Sequence, residues 1–151
     1  MIVSEHTFQS TDLARSAAKV MAAARTHLGA LIRDKDGRTY ALTAAAPIAA
    51  MQYALDGLSD AVVLQELLKS EGPRRPTQYG KFAWLTSLPD EGQLEFLNEY
   101  IPALLQVRVT GIEPVEDLLY SWQQTARIHE DPALLAELST PIDEPLGTVV
   151  T

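Results

Sequence analysis

One short stretch, Lys35-Asp36-Gly37 set between the apolar runs Ala30-Leu31-Ile32 and Tyr40-Ala41-Leu42, constrains this chain more than any other. An Asp-Gly pair in that setting is the strongest short-range hairpin signal, because glycine supplies the left-handed backbone a tight turn needs. The residues before it lead towards that hairpin. Ile2 to Phe8 alternates weakly and reads as a strand, with Thr7 and Phe8 at its end. Ser10 is placed as a helix N-cap, and Asp12 falls in the first turn, where a negative charge meets the helix dipole. Leu13, Ala17, Val20, Met21, Ala24 and Leu28 follow helical spacing and form one apolar face, which Lys19 and Arg25 flank. Gly29 is a natural helix stop. The expected order is strand, short turn of helix, longer helix, hairpin. One helix on three short strands buries little apolar surface. The sheet edge and the helix face are therefore expected to pair with a second copy.

After Thr43 the pattern turns helical. Pro47 suits a first turn, and Ile48, Met51, Gln52, Leu55 and Leu58 are placed on one face. Gly57 is expected to loosen or end that helix, with Ser59 or Asp60 capping a second that buries Val63, Leu64, Leu67 and Leu68. Glu71 to Thr77 holds a glycine, two prolines and two arginines and no apolar residue, so a boundary is placed there. Beyond it, Leu88-Pro89-Asp90-Glu91 starts a helix with Leu94, Leu97, Ile101, Leu104 and Leu105 as its apolar side. Pro102 is expected to kink or split it. Val107 to Ile112 fits either a short strand or a turn. Pro114 opens a helix with Val115, Leu118, Leu119, Trp122 and Ala126 on one face. Asp131-Pro132 reads as the N-cap and first position of a last short helix carrying Leu134, Leu135 and Leu138. The organisation that follows is a domain at 1–70, a linker at 71–80, an acidic helical region at 81–138 and a tail at 139–151.

Charge divides along the same line. Residues 1–75 hold nine Lys/Arg and eight Asp/Glu, net +1, whereas residues 76–151 hold three and twelve, net −9. The first part suits an anionic partner and the second a basic one, although net charge speaks to association rather than fold. With no cysteine, disulfides and thiolate metal sites are excluded. No run reaches membrane-span length and the first residues lack the pattern of a signal peptide, so a cytoplasmic protein is the default expectation.

Phe8, Ser10-Thr11-Asp12-Leu13, Arg15, Val20, Ile32-Arg33, Asp36-Gly37 and Leu42 together resemble the prevent-host-death (Phd/YefM) family of antitoxins. In that family a strand ends in a Ser/Thr-acid-Leu turn, then come a small-residue helix and an Asp/Asn-Gly hairpin. The likeness is close over about the first 45 residues and looser to about Leu68. Trp122, Thr125, Ala126, Ile128, Pro132 and Leu134 resemble the extension of longer family members. The resemblance implies an α+β fold: a small, dimer-forming N-terminal domain with a three-stranded antiparallel sheet and helices, then an all-helical C-terminal region. It implies a type II toxin-antitoxin function, in which a homodimer represses its own operon at operator DNA and neutralises a cognate toxin, of the RelE/YoeB RNase or Doc type, by direct binding.

On that reading Arg15 is the leading DNA contact. Thr7, Gln9, Ser10 and Thr11 offer donors to phosphates or base edges beside it, and Lys19 and Arg25 reach flanking phosphates. The ordinary alternatives are capping and strand-end solvation for the hydroxyls and solvated surface cations for the rest. Arg33, Lys35 and Arg38 surround the hairpin tip, where Asp34 and Asp36 offset them, so a plain turn is expected. The first 43 residues carry six basic and four acidic side chains, only +2 per copy, so specific binding would lean on base contacts and dimer pairing. For the toxin, Glu95, Glu99, Glu116, Asp117, Glu130 and Asp131 make the acidic surface. Trp84, Phe96, Tyr100, Trp122, Ile142 and Leu146 are the candidate apolar anchors, with core packing the alternative for Trp84, Phe96 and Trp122. The competing class is a protein-interaction or immunity-like module that keeps the dimer without binding DNA.

An enzyme is not expected. His6, His27 and His129 are scattered, and there is no His-Glu-x-x-His, no Gly-x-Ser-x-Gly and no glycine-rich phosphate loop. No cofactor, metal or membrane partner is implied.

Overall fold

The structure, a computed structural model, describes residues 7–26 and 29–140. In chain order the elements are β1 (Thr7–Gln9), α1 (Ser10–Arg15), α2 (Ala17–Thr26), β2 (Ala30–Arg33), β3 (Thr39–Leu42), α3 (Ala45–Lys69), a 3-10 segment (Pro76–Ser87), α4 (Asp90–Thr110), α5 (Glu113–Glu130) and α6 (Pro132–Ser139). Leu28, the tail from 141 onwards, and Ile2 to His6 of the expected first strand lie outside the described residues.

The expected fold class is overturned. Helices make up 76% of the described residues, and the three strands form only a small N-terminal sheet. Nor is the sheet antiparallel throughout. Its order is β1-β2-β3, with β1 parallel to β2 (Phe8 opposite Ile32) and only β2 antiparallel to β3 (Ile32 opposite Tyr40). The cause is the connection: α1 and α2 carry the chain back before β2 starts, which is how a parallel pair must be joined, whereas the short loop 34–38 can make only an antiparallel one.

Two apolar cores form, and they share no residue. The small one is Val20 and Ala24 of α2 against Ala30 and Ile32 of β2, with Phe8, Ala23 and Leu42 at its margin. Met21 of α2 and Leu13 of α1, expected on the same buried face, stay 44% and 37% exposed, because three short strands give the two helices too little sheet to cover them. The large core takes Ala61 and Leu64 from α3, Tyr79, Phe82 and Leu85 from the 3-10 segment, Phe96, Leu97, Tyr100, Leu104 and Val107 from α4, and Val115 and Ala126 from α5. Helix α3 thus belongs to the core of the chain's second part, and the division between cores precedes the expected boundary near residue 70.

The expected break at Gly57 is absent, since α3 runs unbroken from Ala45 to Lys69. Gly57 instead marks where α3 meets α4. A methyl group placed on it would lie 2.6 Å from Leu104 Cδ2 and 3.0 Å from the Tyr100 hydroxyl. Gly57 and Ala61 form the small-residue side on which α4 rides. The side expected to be buried is only partly so: Ile48, Met51, Leu55 and Val63 are all at least half exposed, whereas Leu64 is core and Leu58, Leu67 and Leu68 pack against it. Helix α4 also runs on through Pro102. Pro102 and Asn98, whose carbonyl loses its helical partner to the proline, are both exposed, so the carbonyl is not left buried without a partner. Val107 to Thr110 is the last turn of the same helix.

The linker expectation for 71–80 is corrected as well. Tyr79 is buried, and the Arg74 guanidinium donates to the Leu68 carbonyl at 3.4 Å and to Asp90 Oδ1 at 3.2 Å, which holds the segment against α3 and α4. The Tyr79 hydroxyl donates to Gln93 Oε1 and Gln93 Nε2 donates to the Leu88 carbonyl, both at 2.9 Å, which satisfies the one buried polar side chain among the described residues. Gly80, at φ 54, turns the 3-10 segment mid-course so that Phe82 enters the core. Three helix starts agree with their sequence signals: Pro89-Asp90 for α4, Pro114 in the first turn of α5, and Asp131, whose carboxylate accepts the Ala133 and Leu134 N–H groups, for α6. Among the described residues no helix is long and apolar enough to cross a membrane.

Candidate functional site

Thr7, Gln9, Ser10, Thr11 and Arg15 lie on consecutive elements, β1 and α1, and all five are exposed. The cap of α1 falls one residue before the expected Ser10. Gln9 is the N-cap, and its N–H donates to Asp12 Oδ2 at 2.8 Å, so the Asp12 side chain reaches back over the first turn. Ser10 is therefore the first helical residue. Thr11 and Arg15, four residues apart, share one face of α1. Lys19 and Arg25 do not join them as one row: six residues apart on α2, they flank Val20 and Ala24 on opposite sides. Arg15, Lys19 and Arg25 make no ion pair among the described residues; those formed there are Lys69–Glu66, Arg74–Asp90 and Lys81–Asp60.

The hairpin tip is organised by Asp34. Its Oδ1 accepts the N–H groups of Asp36 and Arg38, each at 2.9 Å, and its Oδ2 accepts the Tyr40 hydroxyl at 3.3 Å. That carboxylate is spent on the turn.

The candidate anchors separate by burial. Phe96 and Tyr100, at 0% and 1% exposure, are core and offer no protruding surface, a correction whose cause is the small α3 side that draws α4 close. Trp84 and Trp122 are half-buried against them, with ring centroids 5.2 Å and 6.0 Å from Phe96 in edge-on geometry. Ile142 and Leu146 lie outside the described residues. Of the acidic surface, three carboxylates hold structural contacts: Glu99 accepts the Trp122 indole N–H at 2.9 Å, Glu130 accepts the Ser87 hydroxyl at 2.6 Å, and Asp131 caps α6. Glu95, Glu116 and Asp117 are exposed.

A cleft of about 360 Å³ lies between α3, the 3-10 segment and α5, over Tyr100 of α4. Phe82 and Tyr100 form its floor, Tyr53 and Trp84 its walls, and Asp56 and Lys81 its rim, with Leu119 of α5 closing the far side. Burial pushes the Tyr100 hydroxyl up to about 12, with Tyr53 and Asp60 adding to the rise. Burial also raises Tyr53, helped by the negative charge of Glu116. Of these residues only Trp84 and Tyr100 stood out in the sequence. The missed signal is Tyr53 and Gly57 at four-residue spacing, which places a tyrosine over the gap a glycine leaves. Among the described residues no group of His, Asp and Glu could hold a metal ion, and His6 and His27 lie outside them.

Compared with known proteins, no family model matches this chain, and no curated protein and no solved structure matches it.

Proposed function

We propose that this protein is a two-part binder of the antitoxin kind: a homodimer whose N-terminal part contacts operator DNA and whose acidic helical part holds a basic protein toxin. The observation that carries the reading is the charge of the two structural units. Residues 7–44, around the small core, hold six basic and three acidic side chains, net +3, while residues 45–140, around the large core, hold six and fourteen, net −8. Arg15 beside the exposed polar end of α1 supplies the DNA edge, and Thr11 on the same face adds a donor. Dimerisation is supported by the outward stripe Ile48, Met51, Leu55 and Val62, spaced by three, four and seven residues as in a helix-pairing seam, and by the open edges of the small sheet. The match of Phe8, Ser10 to Leu13, Ile32-Arg33 and Asp36-Gly37 to the Phd/YefM pattern is the second support.

The test is a salt titration of binding to the DNA upstream of the protein's own gene, wild type beside Arg15→Ala. The expected result is tight binding by the wild type that falls steeply with salt, and a loss of about tenfold or more in the variant. Binding no tighter than to a random duplex, from a monomer that retains no neighbouring gene product on purification, would sink the proposal. The small positive charge of residues 7–44 favours one second reading, a dimeric interaction module without DNA function. A dimer that retains a basic partner but ignores the upstream DNA would establish that reading instead.

A further inference from the structure

We propose that the cleft between α3, the 3-10 segment and α5 is a receptor for one cationic side chain, arginine or lysine, presented by a basic protein partner. The inference rests on the reading that the acidic part docks a basic protein, and it names the spot on that part where recognition is concentrated. Four observations carry it.

The cleft is small. At about 360 Å³ it sits at the low end of ligand pockets, a size suited to a side chain rather than to a dinucleotide or other large cofactor. Its surface is aromatic. Phe82 and Tyr100 meet edge-on at 5.6 Å beneath it, both almost fully buried, and the half-buried rings of Tyr53 and Trp84 are the ones left open to a guest. The Phe82 ring already takes a cation from the protein itself, Lys81 Nζ at 5.1 Å from its centroid, so a guest would have to use the Tyr53 and Trp84 rings in the same way. That is the geometry in which an aromatic quadrupole attracts positive charge. Lastly, the rim has negative charge to spare. Lys81 is neutralised by its ion pair with Asp60. Among the described residues Asp56 has only the Gln52 amide, at 3.0 Å, on Oδ1, which leaves its second oxygen open there, and Glu116 is near enough to act on the Tyr53 hydroxyl. An anion would face Asp56 and Glu116. An apolar group would bury the Asp56 rim without answering its charge. A guanidinium or ammonium group answers both the rings and the carboxylates.

The experiment uses the full chain and small probes. The Trp84 indole N–H and the ring resonances of Tyr53 and Tyr100 are followed by NMR during titration with N-acetyl-arginine amide, N-acetyl-lysine amide and the uncharged N-acetyl-norleucine amide. The cationic amides are expected to give saturable shifts confined to these rings, and norleucine amide none. Asp56→Asn removes charge at an exposed residue, so the fold persists, and it should weaken the arginine amide about fivefold. Glu137→Gln, on α6 away from the cleft, should leave binding unchanged. Equal shifts from norleucine amide, or arginine shifts spread over the acidic surface and indifferent to Asp56→Asn, would overturn the proposal.

A parallel arm separates this inference from the reading it rests on. The basic product of a neighbouring gene is titrated against wild type and Asp56→Asn. Weaker binding by the variant supports the cleft, and equal binding by both overturns it while leaving the antitoxin reading in place. Should no gene product bind while arginine amide still fills the cleft, the antitoxin reading falls and the cleft stands.

Discussion

Replacing Gly57 with alanine tests the contact that organises the large core. In a free helix interior that change would stabilise by about 1 kcal/mol, because glycine has the larger conformational freedom to lose. Here the added methyl would sit 2.6 and 2.9 Å from the two terminal carbons of Leu104, which is itself 1% exposed and has nowhere to retreat. Overpacking of a well-filled site costs about 1–3 kcal/mol, so the two effects leave a net loss of about 1 kcal/mol. Leu104→Ala should cost about 2–5 kcal/mol through the cavity it opens. In that background the Gly57 methyl enters the vacated space and keeps only the close contact with the Tyr100 hydroxyl, so Gly57→Ala should no longer destabilise, a coupling of about 1–2 kcal/mol between the sites. Urea unfolding of the four proteins, followed by fluorescence of Trp84 and Trp122, measures it. If Gly57→Ala stabilises by the same amount in both backgrounds, the helices do not approach as described and the reasoning fails.

Two further outcomes follow from the same core. Gln93→Ala removes the acceptor of the buried Tyr79 hydroxyl and the donor to the Leu88 carbonyl, and should lower stability by about 1–3 kcal/mol, against little change for the exposed Gln106→Ala. Equal effects in urea would show that the Gln93 contacts are not formed. Stability should also fall in alkali. The Tyr100 hydroxyl has the higher pKa in the folded state, about 12 against 10.0 unfolded, so its neutral form is the one the fold favours. The contribution, about 2–3 kcal/mol, is complete below pH 10 and is lost as pH rises from there towards about 12. Unfolding free energies across that range should slope downward in the wild type and less so in Tyr100→Phe; identical slopes would refute the assignment.

Much of the local order was legible because it depends on neighbours in sequence. Asp36-Gly37 gave a turn, Pro114 and Asp131-Pro132 gave helix starts, and Thr7 to Leu42 has the predicted order of strand, two helices and two strands. The cap at Gln9 was missed because Asp12 serves the N–H three residues back, a choice that Ser10 could equally have filled by itself. On α3 the sequence pattern points to the wrong face. Large apolar residues at heptad spacing drew the core to Ile48, Met51 and Leu55, yet the core formed on Gly57 and Ala61, where small side chains let α4 approach. Of the candidate site, the sequence offered Arg15 and the hydroxyls beside it, which the structure leaves exposed. The cleft was invisible, since it joins Tyr53, Phe82, Trp84 and Tyr100 from three separate elements.

By itself, then, the sequence determined what is set within a few residues: helix starts, the hairpin turn, the split in charge and the absence of cysteine chemistry. Tertiary structure alone decided the direction of β1 against β2, the face α3 buries, the burial of Tyr79 in what reads as a linker, and the aromatic cleft. Those depend on which surfaces meet. Propensity and capping energies act over one turn of chain, whereas close packing is settled between elements dozens of residues apart, where the volume of one glycine can outweigh a row of larger apolar side chains.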